Sequence, residues 1–314
     1  MKLLSHWSDG SAVDAVLLVR DVERRHKRDG SPFLRFTLAD RSGSVPAVLW
    51  DAGGSPAVER GDAVRVAGRL DEHPRYGRQV TIDALSRPAA EAVPWAELLD
   101  GPARPVSELC EDLERLIASM QDPHLSLLLA ALLDPDTPTG LAYRCAPAAK
   151  FNHHAYASGL LEHSVGVAQL VSAAAVMFGG IDRDLAVCGA LLHDIGKLEA
   201  YASDNGCADL TDAGKLEGEI PLGYYRVRRE IEAIAGFPAD LARALLHVIL
   251  AHHGCLEHGS PVAPGTREAA LVHAIDNLSG QLGAFDRLEK ATAPGERWSR
   301  YDRVLGGAAF FAGR

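Results

Sequence analysis

In the first ninety residues, apolar and polar positions alternate with a period of two over several short stretches. The segments are AVLLVRDVERR, PFLRFTLADRSGSVPAVLWD, DAVRVAGRL and RQVTIDAL, and turns rich in glycine, aspartate and serine separate them. Alternation of this kind indicates strands with one buried face. Five short strands in so few residues predict a small antiparallel barrel or sandwich.

After residue 90 the pattern changes. Residues 91–105 contain three prolines, which disfavour a continuous helix or a central strand, so this segment is predicted to be a linker. From Val106 onward the apolar residues recur with the helical period. Breaks are expected at Gly179-Gly180, residues 202–215 and residues 254–265. The predicted fold is multidomain, with a small all-β barrel in residues 1–90 and an all-α bundle in residues 106–314.

The order of the predicted strands suits an OB-fold. A long first strand, then L-x-D-x-x-G-x-V-x-A-x-L-W and G-D-x-V-x-V-x-G, resembles the nucleic-acid-binding OB domains. OB barrels hold single strands with basic grooves and aromatic platforms. The candidate contacts are Arg24, Arg25, Lys27, Arg28, Phe36, Trp50 and Tyr76. The alternatives are that the basic run is a solvated hairpin tip and that the rings pack inside the barrel.

Composition narrows the class of protein. The apolar fraction of 47% and the charged fraction of 24% are typical of a soluble globular chain. We find no apolar run of the roughly 18 residues that span a bilayer, and the N-terminus lacks the apolar segment of a signal peptide. The five cysteines are scattered and form no CxxC pair. We therefore expect a protein of the reducing cytoplasm without a membrane partner.

Charge is unevenly distributed along the chain. The net charge is −10, made up of +2 in residues 1–90 and −12 in residues 91–314. Because phosphate contacts need basic groups, this overall acidity does not favour nucleic-acid binding. A nucleic-acid contact is therefore expected from the first domain.

Histidine and aspartate side chains interrupt the apolar faces of four predicted helices. They are His163, His193, Asp194, His252, His253 and Asp276. A lone buried histidine is usually only hydrogen-bonded, but an unpaired buried carboxylate is costly. A metal centre in a helical bundle satisfies all of these groups at once. Neighbouring helix residues diverge by about 100°, so His193 and Asp194 bracket a space for an ion, and the two oxygens of Asp194 are suited to bridging two ions.

The order H…HD…HH…D is also the signature of the HD-domain metal-dependent phosphohydrolases. With the OB-like domain, the segments LLHDIGKLEAY and HHGCLEHGSPVAPGTREAALVHAIDNL resemble the YhaM-type 3′-to-5′ exoribonucleases, and the similarity covers roughly residues 10–290. The resemblance implies an OB-fold fused to an HD domain. It also implies manganese-dependent removal of nucleotides from single-stranded 3′ ends.

The same resemblance implies roles for single residues. Carried over by position, the metal ligands are His163, His193, Asp194, His252, His253 and Asp276. Asp194 is then also catalytic, and Lys197 contacts a phosphate. One or two divalent ions are expected, with Mn²⁺ favoured and Mg²⁺, Co²⁺ or Ni²⁺ as alternatives. The expected partner is single-stranded RNA, with single-stranded DNA open as a second substrate, and the expected assembly is a homo-oligomer.

One position departs from the family pattern. The segment after the HD doublet usually reads G-x-L-x-G-H-I, and its histidine is a ligand, whereas here Glu219 stands at that place. A carboxylate also ligates divalent ions and favours a harder ion such as Mn²⁺. Glu219 is therefore a candidate ligand, and the alternative is a weakened second site.

Two other functions remain open from the sequence. An HD-type nucleotidase or cyclic-dinucleotide phosphodiesterase would use the same ions but leave the OB-like domain without a clear task. A single-strand-binding module with a decayed HD domain is the alternative outside the enzymes. The intact His163, His193, Asp194 and Asp276 argue against decay.

Overall fold

The computed structural model describes residues 3–53, 55–73, 77–150, 154–204, 207–292 and 295–312. The chain divides into two compact units. The first comprises Met1–Asp100, Asp204–Cys207 and Asp286–Arg314, and the second comprises Gly101–Ser203 and Ala208–Phe285.

Five strands of the first unit close into a barrel in the order β1-β2-β3-β5-β4. The strands are β1 (Ala12–His26), β2 (Pro32–Asp40), β3 (Gly43–Leu49), β4 (Ala63–His73) and β5 (Gly77–Ser86). Only the β3–β5 pairing is parallel among these strands. Alternate residues point inward, so that Val13, Ala15, Leu17 and Val19 of β1 lie in the barrel core. This is the predicted OB-type barrel.

Strand β1 is long enough to pair with two neighbouring strands. Its first half pairs with β4 and its second half with β2, and a β-bulge lies between Val19 and Asp21. A bulge bends a strand and increases its twist, which helps a sheet to close. Leu18 alternates with the inward Leu17 and Val19, so it points away from the barrel core, and it packs against Leu98.

The segment predicted as a linker is partly structured. It contains a short helix, α1 (Trp95–Leu98), which contacts β1 and β2. Leu98 is fully buried against Leu18. Residues 91–100 thus belong to the barrel unit, because an apolar face of the barrel remains to be covered.

The second unit is built from helices around one core. They are α2 (Val106–Ala118), α3 (Pro123–Leu133), α4 (Pro138–Cys145), α5 (Gly159–Met177), α6 (Arg183–Leu192), α7 (Lys197–Ala200), α8 (Asp212–Leu216), α9 (Glu219–Ala233) and α10 (Ala239–Ala251), followed by α11 (Arg267–Ala291). Helix α6 is buried along its length and packs against α5 and α10. The buried Tyr143 hydroxyl donates a hydrogen bond to the Leu191 carbonyl near the end of α6.

The predicted break at residues 202–215 is more ordered than expected. Strands β6 (Tyr201–Asp204) and β7 (Cys207–Leu210) form a two-stranded sheet ahead of α8. Helix α5 also differs from the expectation, because by length and composition it is apolar enough to cross a membrane. Its apolar residues Leu160, Leu161 and Val165 belong to the core, as in a core helix of a globular unit.

The C-terminal segment does not follow the predicted domain boundary. Helix α11 continues across the division after Phe285, and the residues that follow group with the barrel unit. An ion pair of 2.7 Å joins Arg287 and Asp302 within this segment. No break in the helical pattern marks the division, so the apolar period could not locate it.

Candidate metal centre

The local structure of α6 explains where the HD doublet lies. Asp182 caps the helix by accepting a hydrogen bond from the Leu185 backbone N–H, and the helix ends at Leu192. His193 and Asp194 therefore follow at the buried end of an apolar helix. Helix α10 is built in the same way, because it ends at Ala251 and His252 follows as its C-terminal cap.

A first group of side chains meets around Asp194 and Asp276. The Nε2 atom of His163 lies 3.1 Å from Asp276 Oδ1 and 3.4 Å from Asp194 Oδ2. The Nε2 atom of His193 lies 3.4 Å from Asp194 Oδ2 and 3.7 Å from Asp276 Oδ1. The two imidazole Nε2 atoms are 3.2 Å apart. Two carboxylates and two imidazoles thus converge on one buried point.

A second group shares Asp194 with the first. Asp194 Oδ1 lies 3.7 Å from His252 Nε2, and the rings of His252 and His253 are 4.2 Å apart. Potential ligand atoms of Asp194, His252 and His253 lie within 4.8 Å of one another, as do those of His163, His193 and Asp194. The two oxygens of Asp194 therefore face different groups.

Backbone carbonyls orient two of the imidazoles. His193 Nδ1 donates to the Ala190 carbonyl at 2.7 Å, and His252 Nδ1 donates to the Ile249 carbonyl at 2.7 Å. A carbonyl accepts only, so each bond fixes the proton on Nδ1 in the neutral ring. The lone pair of each Nε2 then points at the centre, as metal-ligating histidines require.

Two buried polar atoms at the centre have no hydrogen-bond partner among the residues that the structure describes. They are Asp194 Oδ1 and His252 Nε2, which lie 3.7 Å apart. A buried polar atom without a partner costs about 1–3 kcal/mol, and more when it is charged. A cation between these atoms would satisfy both, so the residues present fit a divalent metal.

The electrostatics point to the same chemistry. Burial acts to lower the pKa of His193, but the carboxylates of Asp194 and Asp276 outweigh it and raise that pKa to about 10. A proton and a metal ion therefore compete for the Nε2 lone pair of His193, and the ring would be neutral when it ligates a metal. Burial lowers the pKa of His252 to about 3, with the charge of His193 adding to the effect. Burial would raise the pKa of Asp194, yet Lys197 and His193 hold it well below its usual value. The carboxylates thus attract positive charge to the place where a metal ion would be held.

Family models match both units. The model of the HD domain matches residues 160–281, and the model of the OB-fold nucleic acid binding domain matches residues 18–86. The chain is also similar to the 3′-5′ exoribonuclease YhaM of Geobacillus sp. (strain WCH70), with 32% identity over 300 residues that cover 94% of this chain and 90% of the relative. YhaM of Bacillus subtilis (strain 168) is 32% identical over 293 residues, which cover 93% and 92%. For Bacillus velezensis YhaM the identity is 33% over 295 residues, with 93% and 92% covered.

The chain belongs to the YhaM family of 3′-5′ exoribonucleases. The predicted family and the predicted order of an OB-fold and a helical HD domain are thereby confirmed. Within this YhaM-family chain, the structure gathers His163, His193, Asp194, His252, His253 and Asp276 into one cluster. The roles of these side chains as ligands remain predictions.

Lys197 and Glu219 lie at the edge of this cluster. Lys197 Nζ pairs with Asp194 Oδ2 at 2.7 Å. Glu219 Oε1 lies 3.8 Å from His253 Nδ1, and Glu219 belongs to neither metal-capable group among the residues that the structure describes. Gly196 allows this approach, because a Cβ there would collide with the backbone of Glu219 and Gly223. The start of α9 is therefore held against the HD turn.

Several supporting residues were missed by the sequence analysis. The Ser279 hydroxyl lies 3.5 Å from His163 Nδ1, one helical turn after Asp276. The buried Ser260 accepts a hydrogen bond from the His253 backbone N–H. The spacing of Ser279 from Asp276 is a sequence signal that was available. The contact of Ser260 depends on a loop and gave no such signal.

A third supporting contact precedes His163. His154 Nδ1 donates to the Glu162 carboxylate at 3.0 Å, and the ring of His154 lies 5.6 Å from that of His163. Glu162 also accepts from the Ala103 backbone N–H. This YhaM-family chain therefore anchors the start of α5 beside the cluster.

The predicted basic contacts of the barrel lie at its surface. Arg24 and Arg25 lie near the end of β1, and Lys27 and Arg28 lie in the turn that follows. All four side chains are at least partly exposed. Arg25 forms an ion pair of 2.6 Å with Glu23.

Among the aromatic candidates, Phe36 is only 2% exposed and packs in the barrel core, so its proposed role as a stacking platform is wrong. Trp50 is 49% exposed, and its ring lies 5.1 Å from that of Phe33. Tyr76 lies outside the described residues. Of the aromatic residues at this end of β2 and β3, the exposed Trp50 stays a candidate, and the half-buried Phe33 contacts it.

Proposed function

We propose that this chain is a metal-dependent 3′-to-5′ exonuclease that hydrolyses the phosphodiester bonds of single-stranded RNA. The observation that carries the proposal is the buried Asp194 carboxylate, which lies between two histidine groups and has one oxygen without a hydrogen-bond partner. The relatives named as 3′-5′ exoribonucleases match over more than nine-tenths of the chain. An intact cluster of this kind favours an enzyme over a decayed HD scaffold.

The chain offers two sets of ligands for divalent ions. His163, His193, Asp194 and Asp276 would hold a first ion, and Asp194 with His252 and His253 would hold a second. When bound, a divalent ion supplies Lewis-acid polarisation of a phosphoryl oxygen and lowers the pKa of a bound water. We propose Mn²⁺ as the native ion, because the carboxylates are hard ligands and imidazole accepts the same ion. Mg²⁺, Co²⁺ and Ni²⁺ are the alternatives.

Lys197 is the cation that we assign to the substrate. Its ammonium lies against Asp194 Oδ2, and its side chain is 15% exposed. An ammonium at this position would contact a phosphoryl oxygen of the scissile nucleotide and balance the charge that develops on it. Asp194 would hold Lys197 in place, so we assign Asp194 a positioning role as well as a ligand role.

In this proposal, the barrel unit binds the single-stranded RNA. The exposed ring of Trp50, which packs beside the half-buried ring of Phe33, would offer an aromatic surface for stacked bases. Arg24 and Arg28 are exposed, and neither forms an ion pair with a carboxylate among the described residues. They would contact phosphates, which makes binding dependent on salt.

Two further expectations stay part of the proposal. We propose the cytoplasm as the compartment, because Cys110, Cys145, Cys188 and Cys255 are free thiols, as is usual in a reducing environment. We also propose a homo-oligomer, on the family resemblance alone. Sedimentation velocity of the purified chain tests this assembly.

A labelled strand tests the proposed activity. A single-stranded RNA 20-mer carrying a 5′ label should be shortened one nucleotide at a time with Mn²⁺ and remain intact with EDTA. The same strand with a 3′ label should release labelled mononucleotide from the first time point. A hydrolysed cyclic dinucleotide together with an intact 20-mer would instead identify a cyclic-dinucleotide phosphodiesterase and refute the proposal.

A further inference from the structure

A second group of exposed aromatic rings lies in the barrel unit, in residues 297–311. We call this segment the C-terminal hairpin, because antiparallel bridges join Trp298 to Phe310 and Asp302 to Gly307. Trp298 is 60% exposed and Tyr301 is 71% exposed. Large exposed apolar side chains that cluster mark an interaction surface more often than single ones do.

Arginines alternate with these rings. The guanidinium of Arg297 lies over the Phe310 ring, 4.7 Å from its centroid. Arg297, Arg300 and Arg303 are all exposed. Within the described part of the chain, none of these three arginines forms an ion pair with a carboxylate. Asp302, which lies between Arg300 and Arg303, forms an ion pair with Arg287 instead. The hairpin is thus a site of uncompensated positive charge in a chain of net charge −10.

The hairpin contacts the start of β5. Gly77 begins β5 with a φ of +70°, and a Cβ there would collide with the guanidinium of Arg300. OB barrels bind oligonucleotides with the face of their second and third strands and with loops that include the connection from the fourth strand to the fifth. Arg300 of the hairpin is therefore close to the first residue after a connection that OB-folds use for ligands.

We propose that the C-terminal hairpin is a further binding surface for single-stranded RNA. Trp298 and Tyr301 are the stacking platforms, and Arg297 and Arg303 contact phosphates. The inference rests on the proposed function, because it names a contact for the same substrate. Each nucleotide of an RNA strand carries one base and one phosphate. This repeat matches the hairpin, in which aromatic side chains alternate with arginines. A symmetric contact between the hairpins of two copies is a poorer fit, because it would bring the positively charged Arg297, Arg300 and Arg303 of one copy against those of the other.

Binding of a fluorescein-labelled RNA 20-mer to the full chain in EDTA tests this surface without hydrolysis. Trp298→Ala should raise the Kd about tenfold, as expected for the loss of one stacked base, while Trp298→Phe should keep most of the affinity. Arg297→Gln with Arg303→Gln should lower the slope of log K against log salt by about 1.4, the value for two phosphate contacts on a single strand.

The matched control is an exposed aromatic–arginine pair in the helical unit. Tyr225 is 63% exposed, and the guanidinium of Arg229 lies 6.0 Å from its ring centroid. Tyr225→Ala should leave the Kd and the salt slope unchanged. Equal losses for Tyr225→Ala and Trp298→Ala would mean that the hairpin has no special role, and would overturn the proposal.

A second measurement separates this inference from the proposed activity. Mn²⁺-dependent hydrolysis of a dinucleotide should be the same in Trp298→Ala and the unaltered chain. Because binding is measured in EDTA, a chain without hydrolytic activity still tests the hairpin. A Kd for Trp298→Ala within twofold of the unaltered chain would overturn the inference. A smaller assembly of that variant in sedimentation velocity, with unchanged RNA binding, would identify the hairpin as a subunit interface instead.

Discussion

Asp194→Asn perturbs the side chain that joins the two groups of candidate ligands. The amide keeps the shape but removes the charge that pairs with Lys197 at 2.7 Å and with His193 at 3.4 Å. Asp194 is 2% exposed, so water cannot replace the lost partner. Removing one partner of a buried ion pair costs about 3–5 kcal/mol. We expect the metal-free variant to lose about 3 kcal/mol of unfolding free energy.

The same substitution should abolish stabilisation by metal. A ligand that binds only the folded state adds about 2.7 kcal/mol when its concentration is 100 times its Kd. The unaltered chain should gain about this much unfolding free energy from Mn²⁺. Because both ligand groups include Asp194, Asp194→Asn should gain almost none. Urea unfolding followed by far-UV circular dichroism, in EDTA and in Mn²⁺, measures both quantities.

A buried carboxylate in the first turn of α6, the helix that precedes Asp194, provides the control. Asp184 accepts hydrogen bonds from the backbone N–H groups of Gln121 and Asp122 and lies outside both ligand groups. Asp184→Asn should therefore lower stability in EDTA but keep the full gain from Mn²⁺. The reasoning is refuted if Asp194→Asn keeps the same gain as the unaltered chain, since Asp194 would then hold no metal.

Five further substitutions, at four positions, have distinct expected outcomes. Glu219→Ala should raise the Mn²⁺ concentration for half-maximal activity, and Glu219→His should shift ion preference towards Co²⁺ or Ni²⁺; superimposable metal titrations would show that Glu219 is not a ligand. Trp50→Ala should weaken binding of an RNA 20-mer about tenfold with little change in stability. Phe36→Ala should instead cost about 3–5 kcal/mol of stability, because it leaves a cavity in the barrel. Equal melting temperatures for the two variants would contradict the assignment of Trp50 to the surface and Phe36 to the core. Burial raises the pKa of Asp112, but hydrogen bonds from partners that include Arg104 outweigh it and lower that pKa. Its ionised form therefore adds stability above about pH 4, the unfolded value, and that stability is lost as the pH falls; a stability difference between Asp112→Asn and the unaltered chain that persists at pH 2 would exclude this linkage.

The chemistry of the centre was predictable because polar groups at the ends of apolar helices are rare without a reason. His193 and Asp194 follow directly after Leu192, and His252 follows Ala251, so the apolar pattern itself marked them. The hydrogen bonds that orient the rings were not predictable. They depend on the Ala190 and Ile249 carbonyls, which every helix of any sequence exposes at its end.

The error at Phe36 has a simple geometric cause. Side chains alternate across a strand, so residues three apart point to opposite faces. Phe36 and Leu38 point into the barrel, while Phe33 has the opposite parity and contacts the exposed Trp50. Applying the period of two to each aromatic residue in turn would have chosen Phe33 over Phe36.

The domain boundaries could not be derived from local patterns. The burial of Leu98 depends on Leu18, which lies eighty positions earlier in the chain on the outer face of β1. The C-terminal hairpin joins the barrel unit through contacts such as that of Arg300 with Gly77. Neither contact leaves a periodic trace in the segment itself. Prolines and a change of period therefore located the start of the helical unit but not its end.

Anomalous diffraction at the manganese edge, from crystals of the full chain soaked in Mn²⁺, tests the central claim most directly. The account predicts an anomalous peak beside Asp194 Oδ1 and His252 Nε2, the two buried atoms without a hydrogen-bond partner, or beside the group of His163, His193 and Asp276. It predicts no such peak in crystals of Asp194→Asn. A peak in both crystals, or a fully occupied manganese site elsewhere with none at Asp194, would contradict the account.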